Sequence, residues 1–369
     1  LFAECKDLHT SEITTLSKSY MISGLKAFLT TSTNKKIYFE NETIWALTNI
    51  TNLDGSIENA TLNLIVYSGR YRVAPEVTTE SLDDRLRINN TFIDIVVNAG
   101  SIFDGDIGRF TVGTTGGDPE NPNDDFVELM YGHPYPWSSF TTIRINGKDY
   151  IYGSSEGNFI SLPHFEGSSI VSDWEIEDVI VTQKLTVVYS STGNPDALEI
   201  KYSIVNKNET SKDVGVRVMI DTQLAGNDGA PFVIPGVGNV TKEREFIGAD
   251  VPIWWTTMNS LTDPDVIAHG TLRGVGSDPD KFVIAYWGDI ADTLWDYEVD
   301  PNQWITGDSA IGIWWNPISL SAGQSREIAT FYGIGYVSEV GGVVVWEKEK
   351  HLSIAEEEEI DISTNITLN

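Results

Sequence analysis

Hydrophobic positions recur at every second residue along most of the chain. Leu198, Ile200, Tyr202 and Ile204 alternate with Glu199, Lys201 and Ser203, and Val214, Val216, Val218 and Ile220 alternate with Gly215, Arg217 and Met219. A period of two is the mark of strands with one buried face. The polar stretch Asn206–Asp213 between these runs reads as a hairpin connection. Further short strands are predicted at Ile37–Phe39, Ile44–Thr48, Thr61–Tyr67, Phe92–Val97, Thr141–Ile145 and Val179–Tyr189, then at Phe282–Trp287, Ala310–Trp315 and Glu327–Tyr332. One segment has helical spacing, Thr79–Arg87, where Leu82 and Leu86 stand four apart behind Glu80. Strands at this density, punctuated by 32 Gly and 14 Pro, predict an all-β sandwich architecture.

The pattern changes at two places. Residues 1–98 hold four Asn-x-Thr triplets and read as a small N-terminal β-sandwich, Ig-like in size. Residues 99–337 are richer in Gly, Trp and Pro and read as one large β domain. Residues 338–369 are a charged linker followed by a terminal strand, in which Ile360, Ile362, Ile366 and Leu368 alternate with polar residues. A strand with no local neighbour is a template for joining another sheet. The sequence therefore leaves three outcomes open: both termini fold back on their own chain, one completes a sheet in a neighbouring copy and builds a filament, or Ile360–Leu368 is the first strand of a further domain.

Charge narrows the partners. With 54 Asp+Glu against 24 Lys+Arg the net charge is −30, so nucleic acid and anionic membrane surfaces lack the clustered cations they require. No apolar run approaches the roughly 20 residues of a membrane span. The single cysteine, Cys5, excludes an internal disulfide framework. Seven Asn-x-Thr sequons occur, at Asn41, Asn49, Asn59, Asn89, Asn208, Asn239 and Asn365. With 23 Asn and 33 Thr in the chain, chance supplies about two. That excess predicts an N-glycosylated, secreted protein of a prokaryotic, particularly archaeal, cell surface. A chain beginning at Leu1 rather than Met fits removal of a signal peptide.

Candidate chemistry sits in the loops. Gly108–Asp125 lacks the Gly-Lys-Ser/Thr ending of a phosphate loop, but its Asp118, Glu120, Asn123, Asp124 and Asp125 offer the hard oxygen ligands that suit calcium. Asp221 at a strand end and Asp228 in the following Asn-Asp-Gly turn form a carboxylate pair for acid/base work, a second calcium cluster, or ordinary turn chemistry. His133, His164 and His269 have no zinc spacing, and no Gly-x-Ser-x-Gly nucleophile elbow is present. The adjacent pairs Trp254/Trp255 and Trp314/Trp315 each put one ring outward on a strand, where an indole is a platform for a sugar face or an anchor for a partner. The run Met130–Phe140, with Pro134, Tyr135, Pro136 and Trp137, predicts a rigid shaped loop containing a cis proline bond.

The segments Gly108–Pro119, Tyr131–Gly153, Ile220–Phe232, Gly307–Pro317 and Thr330–Gly335 together resemble the β-supersandwich domain of the galactose mutarotase-like fold, in the version found in archaeal and bacterial surface proteins. The resemblance covers about residues 98–336. It implies a supersandwich behind the small N-terminal sandwich. In that family paired His residues and a Glu perform proton transfer, a set with no counterpart among the motifs of this chain, and fold does not carry function. No catalytic residue is assigned from the sequence. The expectation is therefore a non-catalytic structural subunit of a filament or surface layer, or an adhesin, with itself or surface glycans as partner. The alternative is a carbohydrate-active enzyme or binding module using the outward tryptophans with Asp221 or Asp228.

Overall fold

In the computed structural model the described residues are 20–21, 27–33, 43–52, 57–63, 77–119, 121–190, 194–273, 277–335, 349–354 and 359–367, the first four and last two segments as backbone only. The chain is nearly all β and divides into two compact units. One comprises Leu1–Arg70 with Val343–Asn369, the other Tyr71–Gly342. Among the described residues no helix is long and apolar enough to cross a membrane.

In the first unit the strands Tyr20–Met21, Ala27–Thr33, Thr43–Asn52 and Glu359–Thr367 form one antiparallel sheet in that order. Ile57–Asn63 pairs with Glu349–Ile354. The C-terminal strand is therefore joined to its own chain, with Ile360 opposite Ile50 and Ile366 opposite Ile44. Of the outcomes the sequence left open, the described part of the C-terminal strand takes the fold-back, while residues 1–19 lie outside the described residues.

The second unit is built on two large antiparallel sheets. One has nine strands, in the spatial order Asn158–Glu166, Ser169–Ile176, Val179–Val188, Ala197–Asn206, Ser325–Ile334, Ile267–Thr271, Trp254–Met258, Phe232–Ile234 and Gly238–Val240. The other has six: Lys148–Ile151, Phe140–Ile145, Lys212–Thr222, Ser309–Leu320, Lys281–Tyr286 and Arg244–Ile247. Their facing sides share one apolar core. Ile143, Val216, Val218, Ile284 and Ile313 from the six-stranded sheet join Val181, Ile200, Tyr202 and Tyr332 from the nine-stranded one. Burial of this continuous apolar area is the dominant force holding the sandwich together. A four-stranded sheet, Thr78–Leu82, Arg85–Asn89, Ile93–Asn98 and Phe110–Thr114, adds Ile88, Ile95 and Val112 to the same core.

That last sheet corrects two expectations. Thr79–Arg87 is no helix but a hairpin, turning at Asp83-Asp84 with Leu82 opposite Arg85. Leu82 and Leu86 stand four apart because a tight turn separates them. The boundary at residue 98 also fails, since Ile93–Asn98 pairs with Phe110–Thr114 across it. Residues 71–98 belong to the large unit, and residues 343–369 return to the small one. The predicted hairpin across Asn206–Asp213 is absent too. Ala197–Asn206 lies in the nine-stranded sheet and Lys212–Thr222 in the six-stranded one, so the connection crosses between layers. Alternation fixes which face is buried, not which strand is the neighbour.

The outer face of the six-stranded sheet is covered as well. Phe140, Met219, Val283, Ala285, Ala310 and Trp314 on that face pack against Ile290 of the short helix Trp287–Ala291 and Trp295 of the segment after it. Arg217 is buried there, 5.0 Å from the Trp314 ring centre, and donates to the Ile290 carbonyl at 2.7 Å and to the Thr293 carbonyl. The sheet is thus a middle layer. Trp314 and Trp315 are both buried, one on each side of it.

Candidate carboxylate site

Antiparallel pairing of Lys212–Thr222 with Ser309–Leu320 sets Asp221 opposite Ala310 and Thr222 opposite Ser309. This brings the end of one strand beside the start of the other, where Asp308 stands. Thr222 locks the pair by donating to the Ser309 carbonyl at 2.8 Å. The chain then turns through Ala225 and Gly226, both with positive φ, and Leu224 and Asn227 exchange two backbone hydrogen bonds. The Asn227 side chain accepts from the Gly229 amide at 3.0 Å, and the Asp228 carbonyl accepts from the Ser309 amide at 2.7 Å. Gly229 permits this approach: a Cβ there would lie 2.1 Å from the Thr306 carbonyl group.

Three carboxylates meet as a result. Asp221, Asp228 and Asp308 each bring an oxygen into a group whose members all lie within 4.8 Å of one another. Asp221 is 2% exposed, while Asp228 and Asp308 are half-buried. The Asp221 amide donates to the Ser139 hydroxyl at 2.9 Å, but its Oδ1 has no partner, nor has the Oδ1 of Asp228 or of Asp308. Burial, reinforced by the charges of Asp308 and Asp228, pushes the Asp221 carboxyl up to about 8. Burial with the Asp228 charge raises Asp308 to about 6, and burial raises Asp228. Glu128 is raised by burial and by Asp228, against an opposing pull from His133.

Two loops joined to the cluster's strands carry aromatic side chains. On one side the Tyr131 amide donates to the Asp221 carbonyl at 3.1 Å and opens the loop that carries exposed Tyr135 and Trp137. That loop has its cis bond at His133–Pro134, and not at Tyr135–Pro136, where an aromatic residue precedes the proline. Arg85 donates to the Pro134 carbonyl at 2.9 Å, Asn98 to the Pro136 carbonyl at 2.7 Å, and Arg109 to the Trp137 carbonyl. On the other side Trp304, four residues before Asp308, is 55% exposed with the Lys242 ammonium 4.7 Å from its ring centre. Carboxylates accept from hydroxyl groups and exposed rings cover apolar sugar faces, so the two together suit a polyhydroxylated ligand. The same oxygens suit a hard cation, and a protonated Asp221 beside ionised neighbours suits proton transfer.

The other sequence candidates fare differently. Of the four tryptophans proposed for sugar binding, Trp255, Trp314 and Trp315 are buried and unavailable, and Trp254 is half-buried. Trp255 stacks on Tyr332 and Phe282, Trp314 donates to the Trp295 carbonyl, and Trp315 donates to the Ser277 carbonyl. In the acidic loop Asp124 is buried and accepts from the Asp118 amide at 3.1 Å. Asn121 and Asn123 donate to Asp265. Burial raises Asp124 to about 6. Asp118, Asp124 and Asp125 do not form a three-carboxylate group, and Glu120 lies outside the described residues. His164 and His269 stand in strands rather than loops, and His269 is buried, held down to about 4 by desolvation. Among the sequons Asn239 is exposed, and Asn208 accepts from the Thr210 hydroxyl at 2.7 Å.

No family model matches the chain, and no curated protein matches it. Among solved structures it is similar to an aldose epimerase homologue from C. elegans, at 9% identity over 72% of this chain and 100% of that one, with a TM-score of 0.41. It is also similar to a galactose mutarotase related enzyme from Lactobacillus acidophilus, at 12% identity over 69% of this chain and 99% of that one, TM-score 0.35. A heparan sulfate lyase from Pedobacter heparinus aligns at 8% identity over 79% of this chain and 43% of that one, TM-score 0.34. The neighbours include galactose mutarotase-like folds, the type the sequence segments resemble.

Proposed function

We propose that the protein binds a glycan at the cleft formed by Asp221, Asp228 and Asp308, and that it does so outside the cell. The observation that carries this reading is the convergence of three carboxylates with unpartnered oxygens; exposed Trp137 and Trp304 lie on loops that lead into the same strands. Paired carboxylate oxygens accept from vicinal sugar hydroxyls, and an indole face covers the apolar C–H face of the ring. Surface display is supported by the seven sequons; mass spectrometry of the native protein is expected to find sugar on most of them, with exposed Asn239 and loop-borne Asn208 foremost. Bare asparagines throughout would remove the support for an extracellular location. For the glycan site itself, the test is binding of the full chain to an array of surface polysaccharides, repeated with Asp308→Asn and Trp304→Ala. Retention by the wild type and loss in both variants is the expected result. A folded wild type that retains no glycan, or variants that bind as well as it does, would overturn the reading.

A second reading, self-association, is favoured by one observation. Asn158–Glu166 is an edge strand of the nine-stranded sheet and exposes Ile160 and Leu162 on one side. Exposed apolar residues on an open edge invite pairing with another copy. Sedimentation of the wild type beside Leu162→Lys distinguishes the cases: an oligomer dispersed by the substitution supports this reading, and a wild-type monomer ends it.

A further inference from the structure

We propose that Asp221, Asp228 and Asp308 are the protein ligands of a divalent cation of the calcium class. The first ground is geometric. Three separate backbone segments, a strand end, a turn and a strand start, hold one oxygen each within 4.8 Å of the others. Sequence distance rules out a single acidic loop that is merely crowded, and Gly229 shows that the close approach is built into the backbone. The second ground is the state of Asp221. It is 2% exposed with its Oδ1 unpartnered, and the Ser138 hydroxyl beside the carboxyl does not offset its burial. A buried carboxylate oxygen left without a hydrogen bond destabilises the fold, and a cation removes that deficit. The third ground is the missing counter-charge. Among the described residues no Lys, Arg or His forms an ion pair with any of the three aspartates.

Three like charges this close in a partly buried site are neutralised either by protons or by a cation. An all-oxygen donor set selects a hard ion, and calcium tolerates the irregular geometry and high ligand number that three carboxylates from unlike elements impose. Three carboxylates fill only part of its shell of six to eight oxygens. The remaining positions take water or, when a glycan is present, its hydroxyls. That last step rests on the glycan reading; the cation site does not. Protons and the cation compete for the same oxygens, so affinity for the ion rises with pH.

The test is calorimetric titration of calcium alone into the full chain after removal of divalent ions with a chelator. One ion per chain is expected. Asp308→Asn should abolish the binding, and Asp118→Asn, in the other acidic loop, should leave it unchanged. If Asp308→Asn does not fold, Asp228→Asn carries the same comparison. Absence of binding heat together with an unchanged melting temperature in millimolar calcium would overturn the proposal, as would undiminished binding in a folded Asp308→Asn. Glycan retention measured with calcium and with chelator separates the two readings. Calcium bound without glycan retention leaves the cation site standing and removes the glycan; glycan retained equally in chelator by a chain that binds no calcium does the reverse.

Discussion

Asp94 and Asp221 are each 2% exposed, on strands of the same unit, and their chemistry is opposite. Burial pushes Asp94 up, but hydrogen bonds and charge from His133 and Arg87 more than reverse this and hold it below the ordinary carboxylate range. Arg87 donates twice, at 2.8 and 2.7 Å, and His133 Nε2 lies 3.1 Å away, with its Nδ1 3.1 Å from the Thr111 hydroxyl. Asp221 meets two more carboxylates instead of a guanidinium and an imidazole, and burial carries it to about 8. Depth in the protein is the same; the partners decide the sign. A buried charge whose partners are supplied by its own chain is part of the framework. One whose partners are missing awaits something from outside.

The sharpest way to break this comparison is to remove each carboxylate in turn. Asp94→Asn strips Arg87 and His133 of their shared acceptor and is expected to cost about 3 kcal/mol in denaturant unfolding, the scale of a broken buried pair. Asp221→Asn replaces a carboxyl that is protonated at neutral pH in the absence of a cation, and is expected to cost less than about 1 kcal/mol there. Equal costs would mean that Asp221 is framework too. Next in size is Gly229→Ala, which drives a methyl into the Thr306 carbonyl group. Overpacking of this kind costs about 2 kcal/mol, and the displaced turn should take the cation and glycan responses with it.

The pH dependence follows with a defined sign. Asp221 and Asp308 have folded-state values of about 8 and about 6, raised above those of the unfolded chain. Their contribution is complete below the ordinary carboxylate range and is lost as pH rises through about 6 and then about 8. Asp124, also raised to about 6, adds to the first step. In chelator the melting temperature is therefore expected to fall toward alkaline pH, and Asp221→Asn should remove the later part of that fall. Asp94, being depressed, acts in the other direction and loses its contribution on acidification, as does His269, whose folded value of about 4 lies below the unfolded one. The smallest effect is expected at Trp304. Its ring is 55% exposed, so Trp304→Ala should change stability by less than about 0.5 kcal/mol while weakening glycan retention.

Much of the strand pattern was legible because period-two alternation survives in the sequence wherever one face is buried. Leu198–Ile204 and Val214–Ile220 fall inside Ala197–Asn206 and Lys212–Thr222. Asp221 and Asp228 were legible as a strand end and a turn. Asp308 was not, since an aspartate before a strand is common punctuation and becomes a site residue only through the register that sets Asp221 opposite Ala310. The burial of Trp314 escaped for a similar reason. Alternation correctly puts Trp314 and Trp315 on opposite faces, but nothing local reveals that the segment carrying Ile290 and Trp295 covers the outer one. The usable rings, Trp137 and Trp304, lie in loops where no periodicity marks a direction.

The most direct test of the contrast is site-resolved titration of the aspartate carboxyl carbons by NMR. Selectively labelled full chain in chelator would be used, with Asp94→Asn and Asp221→Asn serving for assignment. Asp221 is expected to titrate near 8 and to lose that transition when calcium is added, while Asp94 remains ionised until the pH falls below the ordinary carboxylate range. An Asp221 that titrates alongside exposed aspartates, with or without calcium, would contradict the account.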